Sequence, residues 1–157
     1  MNITDYLIEK SNGLLKLGTE DTNIKYSKFN NGSIECEVGE FLYSLVRMIK
    51  PKSIQETGTY KGISAAYMGL ALLHNNDEGK LHTMEIDIAH LFEARNLWKI
   101  LGLEGKILSG NFSSLDLKIP AEEKIDLLFL DSEPSIRWQE LVKFYPYLNP
   151  GGYAFLH

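Results

Sequence analysis

Hydrophobic positions along this chain switch repeatedly between two periods, and the switches mark out alternating helices and strands. From Glu37 to Lys50, Val38, Phe41, Leu42, Leu45, Val46 and Ile49 recur at three- and four-residue spacing, the period of one helix face. Pro51 stops that helix. Ser53–Thr57 reads as a first strand, and Ser64–Leu73, a run of small and apolar residues, as a helix suited to close packing on a sheet. Lys80–Ile86 predicts a second strand. Ala89–Leu101 predicts an amphipathic helix that can bury Leu91, Phe92, Ala94, Leu97 and Trp98, with Gly102 as its stop. Lys106–Ser109 predicts a short third strand, and Ile125–Leu130 a fourth, apolar enough to be covered on both faces. Pro134–Leu148 predicts a helix, Asn149-Pro150-Gly151-Gly152 a turn, and Tyr153–His157 a fifth strand. Ahead of these, residues 2–10 predict a short helix capped by Asn2 or Thr4, and the polar stretch 11–34 predicts loop.

Strand and helix alternate four times, which is the pattern of parallel βαβ units. Right-handed crossovers then build a doubly wound α/β sheet. The length of 157 residues fits one domain, 1–157, with an N-terminal helix and loop over 1–34 and a Rossmann-like core over 35–157. A sheet whose last strand runs up to His157 reads as incomplete, and an exposed sheet edge there would suit a partner such as a second copy.

Composition narrows the class. The net charge is −5 and no Lys/Arg stripe stands out, so a binder of nucleic-acid phosphates is not expected. The lone cysteine, Cys36, excludes an internal disulfide, fits a reducing compartment and reads as a small, partly buried side chain. No apolar run approaches the ~20 residues that span a bilayer, and the N-terminus lacks a signal-peptide pattern, so a cytoplasmic protein without membrane contact is expected.

The candidate chemistry concentrates in Ile54–Ser64 (IQETGTYKGIS), where an apolar approach ends in Glu56 and glycines follow at Gly58 and Gly62. Strand, tight turn and helix in this order make a nucleotide-sized crevice at the carboxyl end of a strand. A pyrophosphate cradle excludes negative charge, whereas Glu56 favours a cationic ligand without phosphate. Gly-x-Gly-x-x-Gly is absent, which counts against a nicotinamide-dependent oxidoreductase. Asp87 reads as a helix cap or solvated charge, His90 as surface or packing, and Trp98 and Trp138 as packing.

Six pieces in order carry a family resemblance: Val38-Gly39-Glu40-Phe41-Leu42, the Glu56–Ser64 turn, Thr83-Met84-Glu85-Ile86-Asp87, Ser109-Gly110-Asn111, Asp126 to Asp131, and Asn149-Pro150-Gly151-Gly152. With them the chain resembles class I S-adenosylmethionine-dependent methyltransferases, most of all the catechol and caffeoyl-CoA type O-methyltransferases and related small-molecule enzymes. The resemblance implies strand order 3-2-1-4-5, and it implies that the closing strands of the usual seven-stranded sheet are missing. It also implies S-adenosylmethionine as cofactor. Gly58, Thr59, Gly62 and Ser64 would then meet its methionine part, with Glu56 favouring the ammonium and with Glu37 and Val38 closing that side. Glu85 would hold the ribose hydroxyls, and Ile86, Phe112 and Ser113 the adenine, with Asn111 a further cofactor-binding candidate.

The implied reaction is methyl transfer to a hydroxyl of a small molecule, with a non-catalytic S-adenosylmethionine-binding module of the same fold as the alternative. Asp131 matches a strand-four acid that binds Mg²⁺ or another divalent cation in metal-dependent relatives, and it is the cofactor and catalytic candidate at that strand end. The lysine base of the catechol enzymes is replaced by Pro134, which leaves Asp131 and His157 as catalytic candidates, with Glu133 and Arg137 as further acceptor or metal contacts.

Overall fold

The computed structural model describes residues 2–18 and 26–157. Part of the 11–34 loop expectation, residues 19–25, lies outside the described residues. The elements are α1 (Ile3–Lys10), α2 (Cys36–Ile49), β1 (Ser53–Thr57), α3 (Ile63–Asn75), β2 (Lys80–Met84), α4 (Ile88–Ile100), β3 (Ile107–Gly110), β4 (Ile125–Leu130), α5 (Arg137–Phe144) and β5 (Leu148–Leu156). Short 3-10 turns occupy Ser114–Asp116 and Tyr145–Tyr147.

The five strands form one parallel sheet in the order β3-β2-β1-β4-β5, the expected doubly wound arrangement. β1 is central, and its carboxyl end is flanked by the ends of β2 and β4. Alternate residues of β4 face opposite layers. Leu127 and Phe129 join the core shared with α2, α3 and α4, while Leu128 and Leu130 join Phe144 of α5. Burial on both faces explains the unbroken apolar sequence of β4.

Local signals account for most boundaries. Asn2 caps α1 by accepting from Asp5 N at 2.7 Å. Thr4 instead donates to Glu40, and its hydroxyl lies 2.7 Å from Tyr67 Oη. Asp87 caps α4 through Ala89 N at 2.8 Å. Trp98 is buried and Cys36 is buried, whereas Trp138 is 70% exposed and does not pack.

Two expectations at the C-terminal end are corrected. The helix expected over 134–148 is α-helical only over Arg137–Phe144, after which Tyr145-Pro146-Tyr147 tightens into the 3-10 turn. Asn149–Gly152, expected as a separate turn, lies inside β5. Leu148 pairs with Ile125 and Tyr153 with Leu127, so the intervening residues bow out of register. Asn149 Nδ2 anchors this bulge on Asp126 Oδ1 at 2.7 Å, and Gly151 takes a φ of 81°.

Among the described residues, no helix is long and apolar enough to cross a membrane.

Candidate active site

The carboxyl ends of β1, β2 and β4 open onto a cavity of about 510 Å³. The crevice position follows from the topology, because the crossovers diverge on either side of β1. Six expected residues meet there: Gly58, Glu85, Ile86, Phe112, Ser113 and Asp131. Gly58 has a φ of 81°, and a Cβ on it would run into the Asp131 backbone carbonyl. Glycine is therefore required by both backbone conformation and close approach.

Glu85 is held at the cavity edge. Its Oε2 accepts from Tyr60 N at 2.6 Å and its Oε1 from Asp87 N at 2.9 Å. An ionised carboxylate has about four acceptor sites, so each oxygen keeps one for a ligand hydroxyl. Asn111 does not face the cavity. Its Nδ2 donates to the carbonyls of Glu85 and Ile86 at 2.9 and 3.0 Å, which fixes the backbone that presents Glu85.

A smaller polar cavity of about 30 Å³ adjoins this one, lined in part by Gly58, Thr59, Ser64 and Asp131. Glu56 lies beneath the turn, fully buried, with Oε1 accepting from Ser64 Oγ at 2.5 Å. Its Oε2 is buried without a partner in the protein. Burial, reinforced by the charges of Asp131 and Glu85, pushes the Glu56 carboxyl up to about 8 against the pull of Ser64 and Thr83. A buried oxygen without a protein partner leaves a polar position that a bound ligand can satisfy.

Three expected cofactor contacts stand elsewhere. Glu37 and Val38 line a separate surface cavity with Tyr26, Glu35 and Phe41. Gly62 caps α3 in a left-handed conformation and is covered by Trp98, whose Nε1 donates to the Gly62 carbonyl at 2.9 Å. There it allows α3 to approach Trp98 and Ala94 of α4 closely.

His157 sits between two carboxylates. Its Nδ1 is 3.0 Å from Asp131 Oδ1, and its Nε2 is 2.8 Å from Glu35 Oε2. Both nitrogens face acceptors, an arrangement that only the imidazolium satisfies fully. Partial burial would lower the His157 pKa, but the two carboxylates outweigh it and raise it. Glu35 is pushed up by burial yet falls to about 2 through hydrogen bonds with Lys28, its own backbone and His157. Burial raises Asp131, against the pull of His157 and Arg137.

The residues present do not fit a divalent cation. Among the described residues no cluster of three or more His, Cys, Asp or Glu is placed to hold one. The one strand-end candidate, Asp131, already faces an imidazolium. Glu133 lines the cavity, whereas Arg137 donates to the Ser132 carbonyl.

Two cavity residues, Tyr60 and His90, and one residue buried behind the cavity wall, Glu140, had no site role in the sequence reading. Tyr60 lines the cavity at a φ of 45°, with its N–H fixed by Glu85. Its ring meets the His90 ring edge-on at 4.4 Å, so of the two readings of His90, surface or packing, the packing one holds, and the ring forms part of the cavity wall. Glu140 is buried below Ser114 and Ser132. The only sequence signal was the spacing Ile136, Glu140, Phe144, which puts an acid on the inward helical face.

Solved structures share this architecture. The O-methyltransferase TomG of Streptomyces achromogenes, involved in tomaymycin synthesis and solved with S-adenosylmethionine, is 19% identical, with a TM-score of 0.73 over 97% of this chain and 70% of its own. An O-methyltransferase of Bacillus cereus, solved with S-adenosylhomocysteine, is 18% identical, with a TM-score of 0.70 over 98% of this chain and 64% of its own. The fold is the Rossmann-like fold of class I methyltransferases. Residues 55–157 match the family profile described as a methyltransferase domain, and the chain belongs to that family. A relative in Mycobacterium sp. strain JLS, named "Putative O-methyltransferase", is 29% identical over 130 residues, or 80% of this chain and 57% of the relative. The Mycobacterium ulcerans protein of the same name is 28% identical over 88% of this chain and 64% of its own length. The chain thus spans about 57–64% of these curated relatives.

Proposed function

We propose that the protein is an S-adenosylmethionine-dependent O-methyltransferase acting on a small hydroxylated molecule. The observation that carries this is the orphaned, buried Glu56 Oε2 behind a carboxylate-edged cavity. A cationic amino-acid nucleoside fits both features, and a pyrophosphate fits neither. Glu85 would accept from the ribose hydroxyls, Met84, Ile86 and Phe112 would flank the base, and Ser113 would bond its edge. Thr59, Ser64 and Asp131 surround the small cavity, where an ammonium would find Glu56.

The bound cofactor supplies an activated sulfonium methyl. The protein aligns the acceptor hydroxyl and excludes water, which is worth roughly 7–11 kcal/mol in well-oriented reactions. As an imidazolium, His157 cannot accept the acceptor's proton. Asp131, raised by burial and facing the cavity, takes it as the acceptor oxygen bonds to the methyl and the methyl–sulfur bond breaks, and becomes a neutral acid beside His157.

The test is transfer of labelled methyl from S-adenosylmethionine to a panel of phenols and sugars, with and without Mg²⁺. O-methylated product without added metal is expected. Cofactor binding without transfer to any acceptor would favour the non-catalytic module.

A further inference from the structure

Helix α5 carries a buried carboxylate that no cofactor contact explains. Glu140 has no exposed surface. Its Oε2 accepts from Thr57 Oγ1 at 3.0 Å and from Ser132 Oγ at 2.6 Å, and its Oε1 accepts from Ser114 Oγ. The three hydroxyls come from three places: the end of β1, the loop after β4 and the turn after β3. Thr57 belongs to the central strand, so it is the fixed point of the three.

The neighbouring turns of α5 reinforce the grip. Lys143 Nζ donates to the Ser114 carbonyl at 2.9 Å and to the Leu115 carbonyl at 2.5 Å. Arg137 Nε donates to the Ser132 carbonyl at 3.2 Å. Arg137, Glu140 and Lys143 are three residues apart in succession and share one helix face. That face therefore holds Ser114 and Ser132 through both side chain and backbone. Both serines line the 510 Å³ cavity, on opposite sides of β1.

Packing alone does not call for this residue. A buried carboxylate is costly unless its partners compensate, and an apolar side chain of similar volume often serves a core as well or better. What the carboxylate adds is a fixed spacing between three hydroxyls.

We propose that Glu140 is a positioning residue for cofactor binding: with Arg137 and Lys143 it holds the Ser114 wall and the Ser132 wall of the cavity at one separation. The inference rests on reading that cavity as the cofactor site.

The test measures S-adenosylhomocysteine affinity by calorimetry and Tm by scanning calorimetry for the whole chain and its variants. Glu140→Ala should weaken binding at least about tenfold, and Glu140→Gln, which keeps the shape and an acceptor, should restore most of the loss. Ser114→Ala should weaken binding, and adding it to Glu140→Ala should cost nothing more, the non-additivity of a shared contact. Lys143→Met guards against misfolding, since it releases the turn without touching the buried carboxylate. It should lower affinity about threefold or more while Tm moves by no more than a few degrees. If the wild type binds and the variants bind equally well while Tm falls, Glu140 is only structural and the inference is overturned. If the wild type does not bind, the cofactor reading itself has failed, and this inference fails with it.

Discussion

His157 Nδ1 lies 3.0 Å from Asp131 Oδ1, at the mouth of the crevice between β1 and β4. The pairing places a cation beside the acid that faces the cavity. Its second nitrogen is engaged by Glu35, so the charge is fixed from both sides. The ordinary His157 value of 6.5 is therefore raised. In Asp131→Asn one carboxylate is lost, and the His157 pKa read by NMR titration should fall toward or below 6.5. An unchanged titration would mean that the two side chains do not interact in solution.

The same pair sets a pH dependence. A histidine with a raised folded pKa contributes stability that is fully present below its unfolded value and lost as pH rises through its folded value. Urea unfolding of the wild type should show this decline above pH 6.5, and His157→Gln should lack it. Equal slopes in the two proteins would contradict a charged His157.

Glu56 has the opposite origin but a slope of the same sign. Its folded value, near 8, lies above the ordinary 4.5. Between these values the folded state keeps a proton that the unfolded state has released, so stability falls as pH rises, by at most roughly 1.4 kcal/mol per pH unit. Glu56→Gln should flatten the urea-derived stability between pH 5 and 8. Saturating S-adenosylhomocysteine should also flatten it, because an ammonium favours the ionised form.

Gly58→Ala tests the close approach of β1 and β4. The left-handed φ of 81° costs a non-glycine residue about 1–2 kcal/mol, which lowers Tm by about 2–8 °C in a chain of this size. The added methyl also displaces Asp131, so affinity for S-adenosylhomocysteine should fall further than the stability loss explains. Full affinity in this variant would mean that the turn yields freely.

Much of the fold was legible because it is written locally. β1 and β4 appear at the expected bounds, and the order 3-2-1-4-5 follows from alternating elements together with the family resemblance. The β5 bulge was not legible, because Asn-Pro-Gly-Gly looks like a turn unless β4 stands beside it with Asp126 to hold Asn149. Within the site, Glu85 and the Gly58 turn were visible as an acid and a glycine at strand ends. Where Glu37 and Val38 come to lie was not legible, because the face that α2 turns to its surroundings depends on its packing against α3. Glu140 was legible only through its spacing from Ile136 and Phe144, for a different reason. A helical glutamate reads as a solvated charge until three hydroxyls, from the end of β1 and from the segments after β3 and β4, are found around it.

The central claim is that the carboxylate-edged crevice takes a sulfonium nucleoside, and the direct measurement is calorimetric titration of wild type and Glu85→Ala with S-adenosylhomocysteine and with NAD. The wild type should bind S-adenosylhomocysteine and not NAD, and Glu85→Ala should lose about 1–3 kcal/mol of binding, or roughly 5- to 150-fold in affinity. Binding of NAD alone, or equal affinity of the two proteins for S-adenosylhomocysteine, would contradict the account.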